Sequence, residues 1–198
     1  MTNIFTLKNV PKEFYTMLNA LSRKYNKKSF DIFMSDRHQS RDLDVFDHNR
    51  INSFLPYAAS ASSFNVIKNA LETAHIDRQR KSALQIAIDS NPIYHFAYAV
   101  KSKYVDKIVP KISSTGNGFI NKIDTEWTNQ IKNDMPMFYW YDPRYYDHVA
   151  VEPYKAYFCN TVLPHGGLHI AYEKPRYFFS LSFLEPIDEI AEKFKDWL

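Results

Sequence analysis

The stretch YKAYFCNTVLPHGGLHIAYEKPRYFFSLSFL, residues 154–184, decides the fold. Residues 155–160 form a half-buried pattern that predicts a strand, and residues 164–167 predict a tight loop. The alternation that follows predicts a second strand with two unlike faces: Arg176, Phe178, Ser180 and Ser182 on one, and Tyr177, Phe179, Leu181 and Phe183 on the other. A buried arginine is costly unless it meets an anion, so this strand predicts an anionic ligand.

The pattern outside this stretch predicts a mainly β protein with flanking helices. Helical spacing follows Pro11 through Tyr25, whereas residues 26–50 predict loops or a short helix, and residues 64–71 a helix. Further strands are predicted within 75–89, 93–105, 137–141 and 148–152, a hairpin with a long excursion within 111–134, and a final helix after Pro186. Many short strands between helices predict a β-sandwich or jelly roll, the double-stranded β-helix of cupin-like proteins.

The length of 198 residues suits one domain. We expect residues 1–72 to support a jelly-roll core over 73–184, with the C-terminal helix over 186–198 closing the chain.

Composition narrows the class of protein. With 25 basic and 22 acidic residues and a net charge of +3, the chain shows no basic block, so nucleic-acid binding is not indicated. No apolar run reaches the roughly 20 residues that cross a bilayer, and the N-terminus lacks a signal-peptide pattern. Cys159 is the only cysteine and suits a buried strand position. We therefore expect a cytoplasmic protein without a membrane partner.

One His-x-Asp pair, His75 and Asp77, precedes an apolar strand. On a strand, positions i and i+2 point the same way, so an imidazole and a carboxylate could reach one ion. A second histidine would complete a facial set of two histidines and one carboxylate, which is typical of non-haem Fe(II) oxygenases. His165 is favoured over His169, because Gly166 and its glycine neighbour allow close backbone approach.

The combination of His75-Ile-Asp77, His165, and Arg176 eleven residues later resembles the iron- and 2-oxoglutarate-dependent oxygenase family. Within that family, the segments AHIDRQRKSALQIAI and FCNTVLPHGG…KPRYFFSLSF are most similar to the small jelly-roll members related to aspartyl/asparaginyl hydroxylases. The resemblance covers roughly residues 73–183.

The resemblance implies that His75, Asp77 and His165 bind iron and are the catalytic centre. It also implies that Arg176 holds the distal carboxylate of 2-oxoglutarate, with Ser180 assisting. The cofactors would be Fe(II), the cosubstrate 2-oxoglutarate and O2, and the expected reaction is hydroxylation with release of succinate. The 88 residues from Asp77 to His165 exceed the family's usual interval, which predicts an insertion within 111–135.

Other readings of the sequence stay open. The chain could be a non-catalytic jelly-roll binding protein, or a cupin-like metal enzyme of another reaction class. The substrate could be a protein side chain, a small molecule or a nucleic-acid base. Sheet packing is favoured for the aromatic residues 138–141, 145 and 146 and for the pair His148 and Glu152. Lys81 and Gln85 follow the His-x-Asp pair and are suggested to line the pocket.

Overall fold

The fold is described from a computed structural model, which defines residues 2–26, 38–67, 75–77, 79–89, 95–112, 118–123, 146–169 and 176–198. These residues contain twelve β-strands and three α-helices. The helices are α1 (Lys12–Asn26), α2 (Val45–Asn52) and α3 (Ile187–Lys193). None of the helices in these ranges is both long enough and apolar enough to cross a membrane.

The strands form two six-stranded sheets. The first sheet has the order β1-β10-β5-β12-β3-β2, with β1 Ile4–Thr6, β2 His38–Asp42, β3 Ala61–Ile67, β5 Ser82–Asp89, β10 Ala156–Asn160 and β12 Arg176–Phe183. The second sheet has the order β7-β8-β4-β11-β6-β9, with β4 His75–Ile76, β6 His95–Val100, β7 Ile108–Ile112, β8 Gly118–Ile123, β9 Tyr146–Ala150 and β11 His165–His169.

The connections between the sheets identify a jelly roll. From β3 to β6 and again from β9 to β12 the chain crosses from one sheet to the other at every step, whereas β6, β7, β8 and β9 all lie in the second sheet, with β7 and β8 as an antiparallel hairpin. The pairs within both sheets are antiparallel, as in β12 against β3 and β11 against β6. The predicted double-stranded β-helix is therefore confirmed.

The helices cover the outer face of the first sheet. Phe14, Met17, Leu18 and Leu21 lie on one face of α1, at the spacing of an amphipathic helix. They pack in one core with the outer face of β12 and with the C-terminal segment that includes Phe194. Fully burying a side chain of this size contributes roughly 1.5–3 kcal/mol, so this core holds the helices on the sheet.

A second, smaller core lies between the two sheets. Ala87, Tyr157 and Cys159 of the first sheet meet Ala97 and Ala99 of the second. Since Phe179, Leu181 and Phe183 point to the helices, the alternate residues of β12 face this interior, as predicted. Small side chains on the second sheet leave room there for the polar side chains of β12.

Some local predictions were wrong. The expected helix at 64–71 is instead the end of β3 as far as residue 67, and residues 68–71 lie outside the described ranges. The stretch 26–50 contains the strand β2, which was not predicted, whereas α2 agrees with the short helix expected there; residues 165–167 begin β11 rather than a loop.

The insertion predicted within 111–135 stays a prediction, because only residues 111, 112 and 118–123 of that range are described. The chain between β6 and β9 begins at residue 101 with a 3-10 helix, Ser102–Lys107, followed by the β7–β8 hairpin. This hairpin extends the second sheet beyond β4. The predicted strand at 137–141 lies outside the described ranges, whereas the predicted helix after Pro186 is confirmed as α3.

Candidate metal centre

Two of the predicted metal ligands meet at one end of the second sheet. Asp77 directly follows β4, and His165 is the first residue of β11. The Nε2 atom of His165 lies 3.8 Å from Oδ2 of Asp77. His165 is only 6% exposed and the Asp77 side chain 14%, so the pair is largely shielded from water.

The protein fixes which nitrogen of His165 faces the carboxylate. Nδ1 lies 2.9 Å from the carbonyl oxygen of Leu163, and a carbonyl can only accept, so Nδ1 carries the proton and donates it. In the neutral ring, Nε2 then presents a lone pair toward an oxygen of Asp77. Two acceptors at this distance suit a cation between them, and imidazole with carboxylate is a donor set that divalent iron accepts.

Thr161 joins the loop that carries Asp77 to the turn that carries His165. The Asp77 amide donates to the Thr161 carbonyl at 2.7 Å, and the Thr161 amide donates to the Lys81 carbonyl at 3.1 Å. The Thr161 hydroxyl donates to the carbonyl of Arg80 at 2.9 Å. With Thr161 fully buried, the two segments are held as one unit.

Arg80 is the contact that sequence reasoning missed. Its Nε donates to Oδ2 of Asp77 at 2.6 Å. Its Nη1 donates to the Ser180 hydroxyl at 2.6 Å and, more weakly, toward Ser182 at 3.4 Å. Arg80 and Lys81 are both basic, and no local sequence signal predicts that Arg80 turns inward whereas Lys81 is exposed.

Ser180, the second residue predicted to bind the cosubstrate, has polar neighbours on both sides. It lies on the inner face of β12, where it accepts from Arg80 and, at 3.0 Å, from Nε2 of Gln85. No hydrogen bond between Ser180 and Arg176 is present among the described contacts. Gln85 does reach the interior, as suggested, whereas Lys81 is exposed.

Arg176 is buried at the start of β12, only 2% exposed. Its guanidinium carbon lies 4.4 Å from the centre of the Phe178 ring, a cation–π contact. Its Nη2 donates to the Tyr157 hydroxyl at 3.5 Å. The arginine therefore lies inside the jelly roll, in the low-dielectric setting where a carboxylate would be held most strongly.

The other histidines of the prediction are described by their backbone alone. Residue 75 is the register partner of His165, so β4 and β11 lie side by side at the proposed site. His169 pairs with His95 at the opposite end of β11. Four residues of strand separate it from His165, about 13 Å. Within the residues whose side chains are defined, no group of three or more His, Cys, Asp or Glu is placed to hold a metal.

The remaining predictions have mixed outcomes. Cys159 is buried on β10, as expected, and burial raises the pKa of its thiol, which argues against a nucleophile. His148 lies on β9, so its spacing to Glu152 is not helical. Tyr146 is buried in the same strand, whereas aromatic residues 138–141 and 145 lie outside the described ranges.

Comparisons with known proteins show the same fold. No model of a known protein family matches the sequence, and no curated protein matches it. The crystal structure of HygX from Streptomyces hygroscopicus with nickel and 2-oxoglutarate bound has a TM-score of 0.52 at 9% identity, over 90% of this chain and 81% of HygX. The non-heme alpha-ketoglutarate-dependent carbocyclase SnoK from nogalamycin biosynthesis has a TM-score of 0.52 at 10% identity, over 91% of this chain and 78% of SnoK. At such identities the likeness establishes the architecture that this chain shares with both proteins.

Proposed function

We propose that this protein is an oxygenase that depends on Fe(II) and 2-oxoglutarate. The observation that carries the proposal is the meeting of Asp77 and His165, 3.8 Å apart and largely buried, although 88 residues separate them in the chain. A carboxylate and a neutral imidazole at the mouth of a jelly roll are two thirds of a facial iron site.

The iron would be held by Asp77, His165 and His75. Asp77 would supply negative charge to the cation, and the bond from His165 to Leu163 would keep Nε2 free of its proton for the metal. His75 is included because its backbone pairs with that of His165. When bound, Fe(II) and 2-oxoglutarate would supply the oxidising chemistry: O2 converts 2-oxoglutarate to succinate and CO2 while a substrate C–H bond gains an oxygen atom.

Arg176 would hold the distal carboxylate of 2-oxoglutarate. Its planar guanidinium can form two parallel hydrogen bonds to a carboxylate, and the Phe178 ring beneath it fixes its plane. Ser180 stays a candidate for the same ligand, through the hydroxyl that it presents on the same strand face.

The two structural relatives support this assignment. HygX carries 2-oxoglutarate and nickel in its crystal, and SnoK is an alpha-ketoglutarate-dependent enzyme. Both share the fold of this chain, and the site proposed here lies between its two sheets. The likeness to HygX and SnoK supports only the proposed cofactors, and it supports no particular reaction or substrate, because one fold can host many reactions.

Hydroxylation is the reaction that we propose within this class, following the resemblance to small aspartyl/asparaginyl hydroxylase-like proteins. A protein side chain, a small molecule or a nucleic-acid base would each be compatible as substrate. The single, buried cysteine fits a reducing compartment such as the cytoplasm.

The test is an anaerobic loading experiment. The protein is given Fe(II) and 2-oxoglutarate, then O2, and succinate is measured with and without cell extract as a source of substrate. The Asp77→Ala and His165→Ala variants should release no succinate above background, whereas the control His148→Ala, on strand β9, which β6 separates from β11, should match the wild type. Succinate release by Asp77→Ala at the wild-type rate would remove that residue from the site. No 2-oxoglutarate turnover or binding in the wild type would favour a binding protein or another class of metal enzyme.

A further inference from the structure

We propose that Arg80 is a positioning residue that clamps the Asp77 carboxylate in its metal-binding orientation by tying it to β12. This inference rests on the proposed function, since it assigns Asp77 to the metal. Arg80 would touch neither the metal nor the substrate. It would act through the carboxylate alone.

The clamp spans the two sheets. Asp77 follows β4 of the second sheet, whereas Ser180 and Ser182 belong to β12 of the first. The guanidinium of Arg80 joins them, through Nε at 2.6 Å from Asp77 and through Nη1 at 2.6 Å from Ser180. A planar group with fixed donor directions orients both partners, which an ammonium cannot do.

Arg80 is also fixed at its backbone end. Its carbonyl accepts the buried hydroxyl of Thr161. The amide of the next residue, Lys81, donates to the Phe183 carbonyl at 2.9 Å. The side chain is therefore anchored at both ends, and its own exposure is only 22%.

The bond to Asp77 leaves that carboxylate able to bind a metal. The oxygen that accepts from Nε of Arg80 is the one that faces His165. A carboxylate oxygen has two lone pairs, so Oδ2 can accept from the guanidinium and still offer a lone pair toward Nε2 of the histidine. The geometry is that of a ligand held by a neighbouring hydrogen bond.

Two effects of Arg80 on metal affinity have opposite signs. Its positive charge repels a nearby cation, so removing the charge should by itself strengthen metal binding. Its clamp holds the ligand in place, and removing such partners typically weakens metal binding 10–100-fold. We expect the orientation of the Asp77 carboxylate to outweigh the charge repulsion. Neutralising Arg80 should therefore weaken metal binding, although the loss of a positive charge alone would strengthen it.

The test is a titration of the metal-free protein with Co²⁺ alone, followed by the visible absorption of the bound ion. Arg80→Gln should bind Co²⁺ roughly 10–100-fold more weakly than the wild type, with an altered absorption spectrum, because the ligand geometry changes. Arg80→Lys keeps a charged donor for the Asp77 carboxylate but cannot hold both partners in a fixed orientation, so it should recover only part of the loss. Lys81→Gln is the matched control, because it removes one positive charge from the exposed side chain that follows Arg80 in the sequence. This variant should bind Co²⁺ at least as tightly as the wild type.

The outcomes separate this inference from the proposed function. No Co²⁺ binding by the wild type overturns the metal site and the clamp together. Wild-type binding with equal or tighter binding by Arg80→Gln overturns the clamp alone, as does an equal loss in Arg80→Gln and Lys81→Gln. Circular dichroism and thermal unfolding of the metal-free variants check that they fold. If Arg80→Gln does not fold, Arg80→Lys provides the test. Wild-type Co²⁺ affinity together with a wild-type absorption spectrum in Arg80→Lys would overturn the clamp.

Discussion

Replacing Arg176 by lysine should separate cosubstrate binding from metal binding. The arginine is buried on the inner face of β12, with Phe178 beneath its guanidinium. Lysine keeps the positive charge at that place but offers one compact ammonium in place of two parallel N–H groups. With 2-oxoglutarate bound as proposed, the substitution would remove one charge-assisted hydrogen bond to its carboxylate and would leave the proposed metal ligands unchanged.

The size of the effect follows from that single bond. A hydrogen bond to a charged group contributes about 1.5–3 kcal/mol. At 1.4 kcal/mol for each factor of ten, Arg176→Lys should bind 2-oxoglutarate about 10–150-fold more weakly. Tyr157→Phe removes only the hydroxyl that accepts from Arg176 at 3.5 Å, a long hydrogen bond, and should cost less than tenfold.

Calorimetric titration of the Mn²⁺-loaded protein with 2-oxoglutarate measures this change. Mn²⁺ affinity, titrated separately, should be the same in Arg176→Lys and wild type. Arg50→Lys, an exposed position in the last turn of α2, makes the same chemical exchange away from the interior and should leave both affinities unchanged. An unaltered 2-oxoglutarate affinity in Arg176→Lys would refute the reasoning and place the cosubstrate carboxylate elsewhere.

Three further predictions concern the scaffold. Thr161→Val removes a buried hydroxyl and leaves the Arg80 carbonyl without that donor, so urea denaturation should show a loss of about 1–3 kcal/mol in unfolding free energy. An unchanged value would contradict this role of the Thr161 hydroxyl. Burial raises the pKa of the Cys159 thiol, so iodoacetamide should label the urea-unfolded chain but not the native one, as read by mass spectrometry; rapid native labelling would contradict this. The Asp44 side chain is the N-cap of α2, and its hydrogen bond from the Asp47 amide lowers the pKa of the Asp44 carboxyl to about 2, compared with about 3.9 in the unfolded chain. The ionised Asp44 side chain therefore stabilises the fold fully above pH 5, and this stabilisation is lost as the pH falls toward 2. The stability advantage of wild type over Asp44→Asn should therefore shrink between pH 6 and pH 3 in urea denaturation, and a constant difference would contradict the assignment.

The two-faced strand β12 could be predicted from sequence because both of its faces have a clear chemical identity. Phe179, Leu181 and Phe183 pack against the helices, and the alternate residues face the interior. Burial on one face fixes the register of a strand, so alternation over eight residues is a strong local signal. The C-terminal helix α3 could also be predicted from sequence, because Pro186 marks its start.

The strand β3 was misread because its apolar residues satisfy two periods. Phe64, Ile67 and Leu71 recur at helical spacing, whereas Phe64 and Val66 alternate as in a strand. The pairing of Phe64 with Phe179 of β12, more than a hundred residues away, settles the conformation in favour of the strand. No local window contains that partner.

The proposed metal ligands could be predicted from sequence, but the contacts that hold them in place could not. Asp77 and His165 could be chosen by residue type and by resemblance, and the structure brings them together. Arg80 contacts Ser180 across a separation of 100 residues, so its inward turn depends on the assembled jelly roll. The same assembly brings Gln85 of β5 to the Ser180 hydroxyl.

The polar interior argues for a ligand rather than for packing. Beside the site, Ala97 and Ala99 of β6 contribute only apolar side chains to the interior between the two sheets. Burying Asp77, His165 and Arg176 nearby costs free energy that apolar residues of similar volume would not, and exchanging buried ionic groups for apolar ones is often neutral or stabilising. A jelly roll that only had to pack would gain nothing from a histidine with its tautomer set by a carbonyl, facing a carboxylate. The arrangement has a physical reason if a cation binds between these two groups and an anion binds at the arginine.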